Sequence, residues 1–423
     1  MSNPPPTSSS SLSSACDYIT NAKQKMSYAC ETMKARRWVA DVFAKMFPNY
    51  SKYDGHPDAA HNKKKSKKKK KNSTVLRLPV LPSILDGSNE KIFYSYNWVG
   101  DDSKPLPKGP GIHFSVEDLC NNSTVDWDKI KEGDKTLIVY TKPEEGKESK
   151  FVLSKLSRRI TNELKNKPAT KFDHLLETFA SATDVKGSIE RGKTRNGADD
   201  SYGYYNLFGW TRRYTTNLHP FAFKDKTKEE VNESILWSIA AIAAAYEELA
   251  IFVLRDEWTF HVFLWLKEFL ELPSVKSGNK KDGKDGGLST QFAVASGNYQ
   301  SQLHRDIDYG FSILSVLAAD KERQGEVIYY FNFPTLGIAI PMMSGDIIIF
   351  DSDVEHCSSN PKHPDDYIFS MYCKAETVDT MVRKKYREHP DGKAKDDKNK
   401  KNSKSSKRKK NTSFKQNKKQ HTG

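Results

Sequence analysis

The chain has 423 residues, of which 36% are hydrophobic and 29% charged, with a formal net charge of +14. That length admits two or three average domains, or one large domain with tails. Five cysteines, at 16, 30, 120, 357 and 373, show no CxxC spacing, which argues against a disulfide framework or a cysteine-rich zinc site and suits a reducing compartment. The start "MSNPPPTSSSSLSS" lacks the basic flank and apolar core of a secretory signal, and no run of 18 uncharged apolar residues occurs. The expectation is a soluble, intracellular protein with no membrane partner.

Residues 1–15 are rich in Ser and Pro and are expected to be disordered. From about 17 to 47 the pattern is helical, with Trp38, Val39, Val42, Phe43 and Met46 on one apolar stripe. The block "KKKSKKKKK" at 63–71 closes this arm, and a second lysine-rich stretch fills 395–420. Such blocks bury no apolar surface, so both are expected to be solvated. They suit nuclear import, phosphate binding, or simple solubilisation. The division that follows is an arm (1–74), a mixed α/β N-terminal part of the main domain (75–225), supporting helices plus a β core (226–385), and a disordered basic tail (386–423).

Within the main domain, "IFYSYNWV" (92–99) and "TLIVYT" (136–141) read as strands by their aromatic and β-branched content. Residues 150–166 read as a helix with a basic exposed face. The segment 185–215 mixes glycine, arginine and aromatics; it is either a nucleic-acid-contacting loop or an irregular loop whose aromatics pack inward. Thr227 and Glu230 form a capping-box pattern. After it, Val231, Ile235, Ile239, Ile242, Tyr246, Leu249 and Val253 recur at helical spacing. A second helix, 257–272, is apolar nearly all round and so buried, with His261 as a packed core residue. Residues 276–287 form a surface loop. From 288 to 375 six short runs separated by Gly, Pro, Asn and Asp read as strands of a sandwich or barrel.

Two elements of that β region carry chemistry. His304 and Asp306 stand at i and i+2, which on a strand places both side chains on one face. "GDIIIFDSDVEHCSSNP" then places His356 after a strand and a short loop. Two histidines and one carboxylate match the facial triad of non-haem Fe(II) oxygenases, in which three protein ligands take one face of an octahedron. The bland reading is that His304 caps a strand and His356 is an ordinary loop residue.

By its "HRD…GDIIIF…HC" sequence, the segment from about 290 to 375 resembles the catalytic core of the 2-oxoglutarate- and Fe(II)-dependent dioxygenase superfamily, and more narrowly its TET/JBP-like branch. That resemblance implies an α+β fold whose core is a double-stranded β-helix (jelly roll, cupin-like) braced by the preceding helices. It implies His304, Asp306 and His356 as iron ligands, and Fe(II) and 2-oxoglutarate as cofactors. The superfamily's usual Arg-x-Ser pattern is only half present: Ser370 is there, but Ile368 stands two residues before it. Strand alternation puts Ile368, Ser370, Tyr372 and Lys374 on one face. Lys374 is then the expected cation for the cosubstrate carboxylate, with Ser370 and Tyr372 as hydrogen-bond partners and Lys362 as the other candidate. Asn298 and Tyr299 are expected near the cosubstrate, the alternative for Tyr299 being a packed barrel residue.

The basic blocks make nucleic acid, DNA above all, the expected partner, and the nucleus the expected location. A methyl-bearing or modified base flipped out of the duplex is the expected substrate, with Tyr202, Tyr204, Tyr205 or Trp210 available to stack on it. The alternatives are a prolyl- or lysyl-type protein hydroxylase and a catalytically inactive jelly-roll protein that binds nucleic acid.

Overall fold

The computed structural model describes residues 31–42, 45–46, 91–96, 125, 127–132, 135–141, 151–184, 204–212, 218–220, 229–254, 258–275, 287–296, 299–301, 303–306, 308–359 and 362–390. Both lysine-rich blocks, the Ser/Pro-rich start, Thr227, and the loops 185–203 and 276–286 lie outside them. The chain divides into two compact units, residues 1–68 with 379–423, and residues 69–378.

In the first unit, helix α1 (31–42) meets the last turns of the final helix, Ala375–Glu388. The Arg36 guanidinium makes a two-pronged ion pair with Asp379, both contacts at 2.7 Å. Arg387 reaches Glu31, and the Trp38 ring lies 5.7 Å from Tyr386 and 5.0 Å from His389. Of the expected apolar stripe, Val39 is buried and Met46 exposed.

The second unit begins with β1 (Lys91–Tyr96), α2 (Trp127–Glu132), β2 (Thr136–Thr141), β3 (Phe151–Lys155), α3 (Arg158–Lys165) and α4 (Phe172–Asp184). It continues through β4 (Tyr204–Arg212), β5 (Leu218–Pro220), α5 (Glu229–Leu254) and α6 (Trp258–Leu270). The last strands are β6 (Gln291–Ser296), β7 (Phe311–Leu317), β8 (Val327–Phe333), β9 (Ile338–Met343), β10 (Ile347–Asp351), β11 (Cys357–Ser358) and β12 (Tyr367–Tyr372). These order as a nine-stranded sheet, β1-β2-β3-β10-β7-β12-β6-β4-β5, and a three-stranded sheet, β11-β8-β9. Among the described pairings β1–β2 is parallel and all the others are antiparallel. Thus β1 to β5 and the later strands β6, β7, β10 and β12 share one sheet.

Both sheets contribute to one apolar cluster, with Leu314, Val316, Ile348 and Phe350 from the large sheet and Phe331, Phe333, Ile338 and Ile340 from the small one. The opposite face of β12 and β6 is closed by helices. Phe369 stacks on Phe292 at 5.6 Å, and Phe179 of α4 and Tyr246 of α5 pack on Phe369 at 4.7 and 5.0 Å. In α5, Ile235, Ile239, Ile242, Tyr246, Leu249 and Val253 are buried as the spacing predicts, whereas Val231 is 54% exposed. The stretch Glu230–Ile251 has the length and hydropathy of a membrane span, but 61% of that window is buried in the protein, which accounts for its apolar character.

The segment 150–166 is not one helix. Phe151–Lys155 is a strand, buried between β2 and β10, and only Arg158–Lys165 is helical. Ser157 marks the switch: its hydroxyl accepts from the Ile160 amide at 3.4 Å, as a helix N-cap does. The aromatics at 205–210 likewise form a strand rather than a loop, since β4 pairs in register with β6.

Because Phe369 is buried against three other rings, Phe369→Ala should cost about 3–5 kcal/mol of stability, read as a lowered urea-unfolding midpoint.

Candidate metal centre

The HxD segment is not the continuous strand its alternation predicts. It is an irregular connection clipped at successive points to two different partners. His304 forms an isolated antiparallel bridge with His356, each amide donating to the other's carbonyl at 3.0 Å. Two residues on, the Asp306 amide donates to the Ser352 carbonyl at 3.0 Å. Asp308 then bridges to Lys374, just past the end of β12, and the Tyr309 amide donates to the Cys373 carbonyl at 2.7 Å. Gly310 closes the segment at φ +77°, and a Cβ there would stand 2.9 Å from the Phe263 ring.

This clipping brings the three sequence-predicted residues together. One nitrogen of each imidazole and one carboxylate oxygen of Asp306 all lie within 4.8 Å of one another. Asp306 Oδ2 is 3.6 Å from His304 Nε2 and 3.6 Å from His356 Nε2. His356 Nδ1 lies 2.8 Å from the Val354 carbonyl, which only accepts, so Nδ1 carries the proton and Nε2 turns a lone pair to its neighbours. The His356 ring is buried, with Phe331 and Phe350 at 5.4 and 5.0 Å. That burial lowers its pKa and favours the neutral, ligating form. Burial would by itself raise the Asp306 pKa, but the contact with His304 and the charge of Lys374 outweigh it and hold the carboxyl far below the usual range. Neighbouring Cys357 has its thiol pushed up to about 11 by burial, which keeps sulfur protonated and out of the donor set. Two imidazole nitrogens and one carboxylate oxygen fit a divalent first-row metal, iron included.

Beside the triad opens a cavity lined on one side by Ile368, Ser370, Tyr372 and Lys374, the face that strand alternation predicts. Tyr299 lines it too, packed edge-on against Tyr205 at 5.6 Å. Lys362 does not: it is exposed, and its amide donates to the Ile328 carbonyl, which ties its loop to the start of β8. Asn298 and Tyr202 lie outside the described residues, as do the side chains of His261 and Tyr204. Trp210 is buried with its indole N–H on the Ser274 carbonyl at 3.2 Å, so it has no face free for a base.

Sequence reasoning missed Asp308, Ser312 and Tyr329. Ser312 and Tyr329 line the cavity, and Ser312 Oγ is buried with no hydrogen-bond partner among the described residues. The alternation of "HRDID" and "FSIL" was the available signal, since Asp308 continues the series of Asp306 and Ser312 the series of Leu314.

No known family profile matches the sequence, and no curated protein matches it. Among solved structures the chain is similar to NgTET1 in complex with 5mC DNA, at 12% identity and a TM-score of 0.35, over 57% of this chain and 78% of that one. It is similar to an oxidoreductase of the 2OG-Fe(II) oxygenase family from Burkholderia pseudomallei, at 11% identity and a TM-score of 0.26, over 51% of this chain and 88% of that one. It is also similar to a Pseudomonas putida prolyl-4-hydroxylase, at 12% identity and a TM-score of 0.24, over 51% of this chain and 97% of that one.

His304→Ala and His356→Ala are each expected to weaken Co(II) affinity by more than the roughly 10–100-fold typical of outer-shell changes, measured by titrating metal-free protein.

Proposed function

We propose that this chain is an Fe(II)- and 2-oxoglutarate-dependent dioxygenase that hydroxylates a C–H bond. The observation that carries the reading is the convergence of His304, Asp306 and His356 at the mouth of a cavity between two sheets. The strand order supports a double-stranded β-helix: β10-β7-β12-β6 would be the larger sheet, and the His304 bridge followed by β11-β8-β9 the smaller. Iron held by the triad would supply the oxygen chemistry that couples oxidative decarboxylation of 2-oxoglutarate to hydroxylation.

The chain's own residues supply the setting. His356, fixed through Val354, offers Nε2 from a phenylalanine-lined wall that excludes water. The cavity takes the cosubstrate against Ser370, Tyr372 and Tyr299, with the Ser312 hydroxyl, which has no partner among the described residues, as a further donor. Ile368 makes that end of the site apolar where the superfamily usually carries arginine.

For the substrate we favour the methyl group of a base in DNA. The net charge of +14 and the two lysine-rich blocks favour a polyanionic partner and a nuclear location. The Tyr205–Tyr299 pair at the cavity gives an extruded base aromatic surfaces to pack on.

Incubation of the full chain with Fe(II), 2-oxoglutarate and methylated DNA should release succinate and yield an oxidised base by mass spectrometry. Succinate release with oxidised protein and unaltered DNA would replace DNA by a polypeptide substrate. Absence of both products, with metal bound, would refute the oxygenase.

A further inference from the structure

Lys374, beside the triad, is held by carboxylates. Lys374 Nζ lies 2.9 Å from Asp308 Oδ1, and the Asp308 side chain is only 2% exposed. A buried carboxylate is costly unless it is paired, so this contact fixes both partners. The backbone holds them at the same register, through the bridge between Asp308 and Lys374 and the Lys374 amide on Thr290 Oγ1 at 3.1 Å. The ammonium also lies 4.9 Å from the centre of the Tyr372 ring.

The two oxygens of Asp306 face different neighbours. Oδ2 stands 3.6 Å from the Nε2 atoms of both histidines, while Oδ1 stands 3.7 Å from Lys374 Nζ. A carboxylate free to turn can offer a metal one oxygen or both. Here one oxygen is drawn to the ammonium and the other is left facing the imidazoles. The Lys374 ammonium is thus shared between Asp306 and Asp308, and both contacts compete with any anionic cosubstrate for it.

We propose that Lys374 and Asp308 together are the positioning element of the metal centre, orienting Asp306 so that only Oδ2 is presented to the ion. This inference rests on the metal-centre reading above. It moves Lys374 from the expected role of cosubstrate partner to that of a positioning residue, and brings in Asp308, which sequence spacing did not single out. Orienting partners of this kind commonly change metal affinity by roughly 10–100-fold.

The test uses full-length, metal-free protein titrated with Co(II), whose visible bands report coordination number. Lys374→Met and Asp308→Asn are each expected to weaken Co(II) binding about 10–100-fold and to alter band intensity. The double variant should be no weaker than Lys374→Met alone, because the two act as a unit. Lys374→Arg, which keeps the cation, should bind Co(II) within a few-fold of the parent. Unchanged Co(II) affinity and spectrum in Lys374→Met, with 2-oxoglutarate affinity falling tenfold or more, would overturn the proposal and return Lys374 to the cosubstrate. Equal losses in Lys374→Arg and Lys374→Met would overturn it in favour of simple packing. A parent protein that binds no Co(II) would instead overturn the metal centre itself.

Discussion

Two backbone hydrogen bonds between His304 and His356 hold the site together. Each residue donates to and accepts from the other at 3.0 Å, which fixes the separation of their Cα atoms without help from any side chain. With the imidazole centroids 4.4 Å apart, one nitrogen of each ring comes within 4.8 Å of the other and of an Asp306 oxygen. The His356 ring is then locked through Val354, and the half-buried His304 ring lines the cavity. A bridge between two loops is weaker than a ladder of a full strand. Its persistence relies on what lies on either side, the Asp306–Ser352 contact and the short strand β11 paired to β8.

The strand β12 serves two environments at once. Phe369 and Met371 are buried, Phe369 against the helices, while Ile368, Ser370 and Tyr372 line the cavity. Successive side chains on a strand point to opposite faces, so hydrophobic packing on one side sets the orientation of polar groups on the other. A slip of one residue would bury Ser370 among phenylalanines and turn Phe369 into the cavity. Buried ion pairs fix the flanking turns in the same way. Arg323 holds Asp366 before β12 with two contacts at 2.9 Å, and Lys155 holds Asp346 before β10 at 2.9 Å.

Much of this was legible in the sequence where the period was strong. The apolar spacing of residues 229–254, the β-branched runs of the core and the shared face of residues 368, 370, 372 and 374 all follow from local geometry. What failed did so where a side chain's partner lies far along the chain. Lys155 and Arg158 look like the exposed face of a helix, yet Lys155 reaches the buried Asp346, and Phe151–Lys155 is a strand. The HxD segment alternates as a strand does, but its neighbours are two loops, so it bridges instead of pairing continuously. Lys374 was visible as a cavity residue, whereas its engagement with Asp308 depends on a long-range bridge that spacing does not encode. The docking of helix 31–42 on 379–389 through Arg36 and Trp38 was illegible for the same reason.

The sheet order also bears on how the chain is made. The strands that border the core, β2 and β3 on one side and β4 on the other, precede it in sequence, yet β3 pairs with β10 and β4 with β6. During synthesis those early strands leave the ribosome long before their partners exist, presenting unmatched amides and carbonyls on sheet edges. Such distant pairings close slowly and keep sticky intermediates alive. A fragment that starts at β6 would therefore keep β10 and β6 as two open seams.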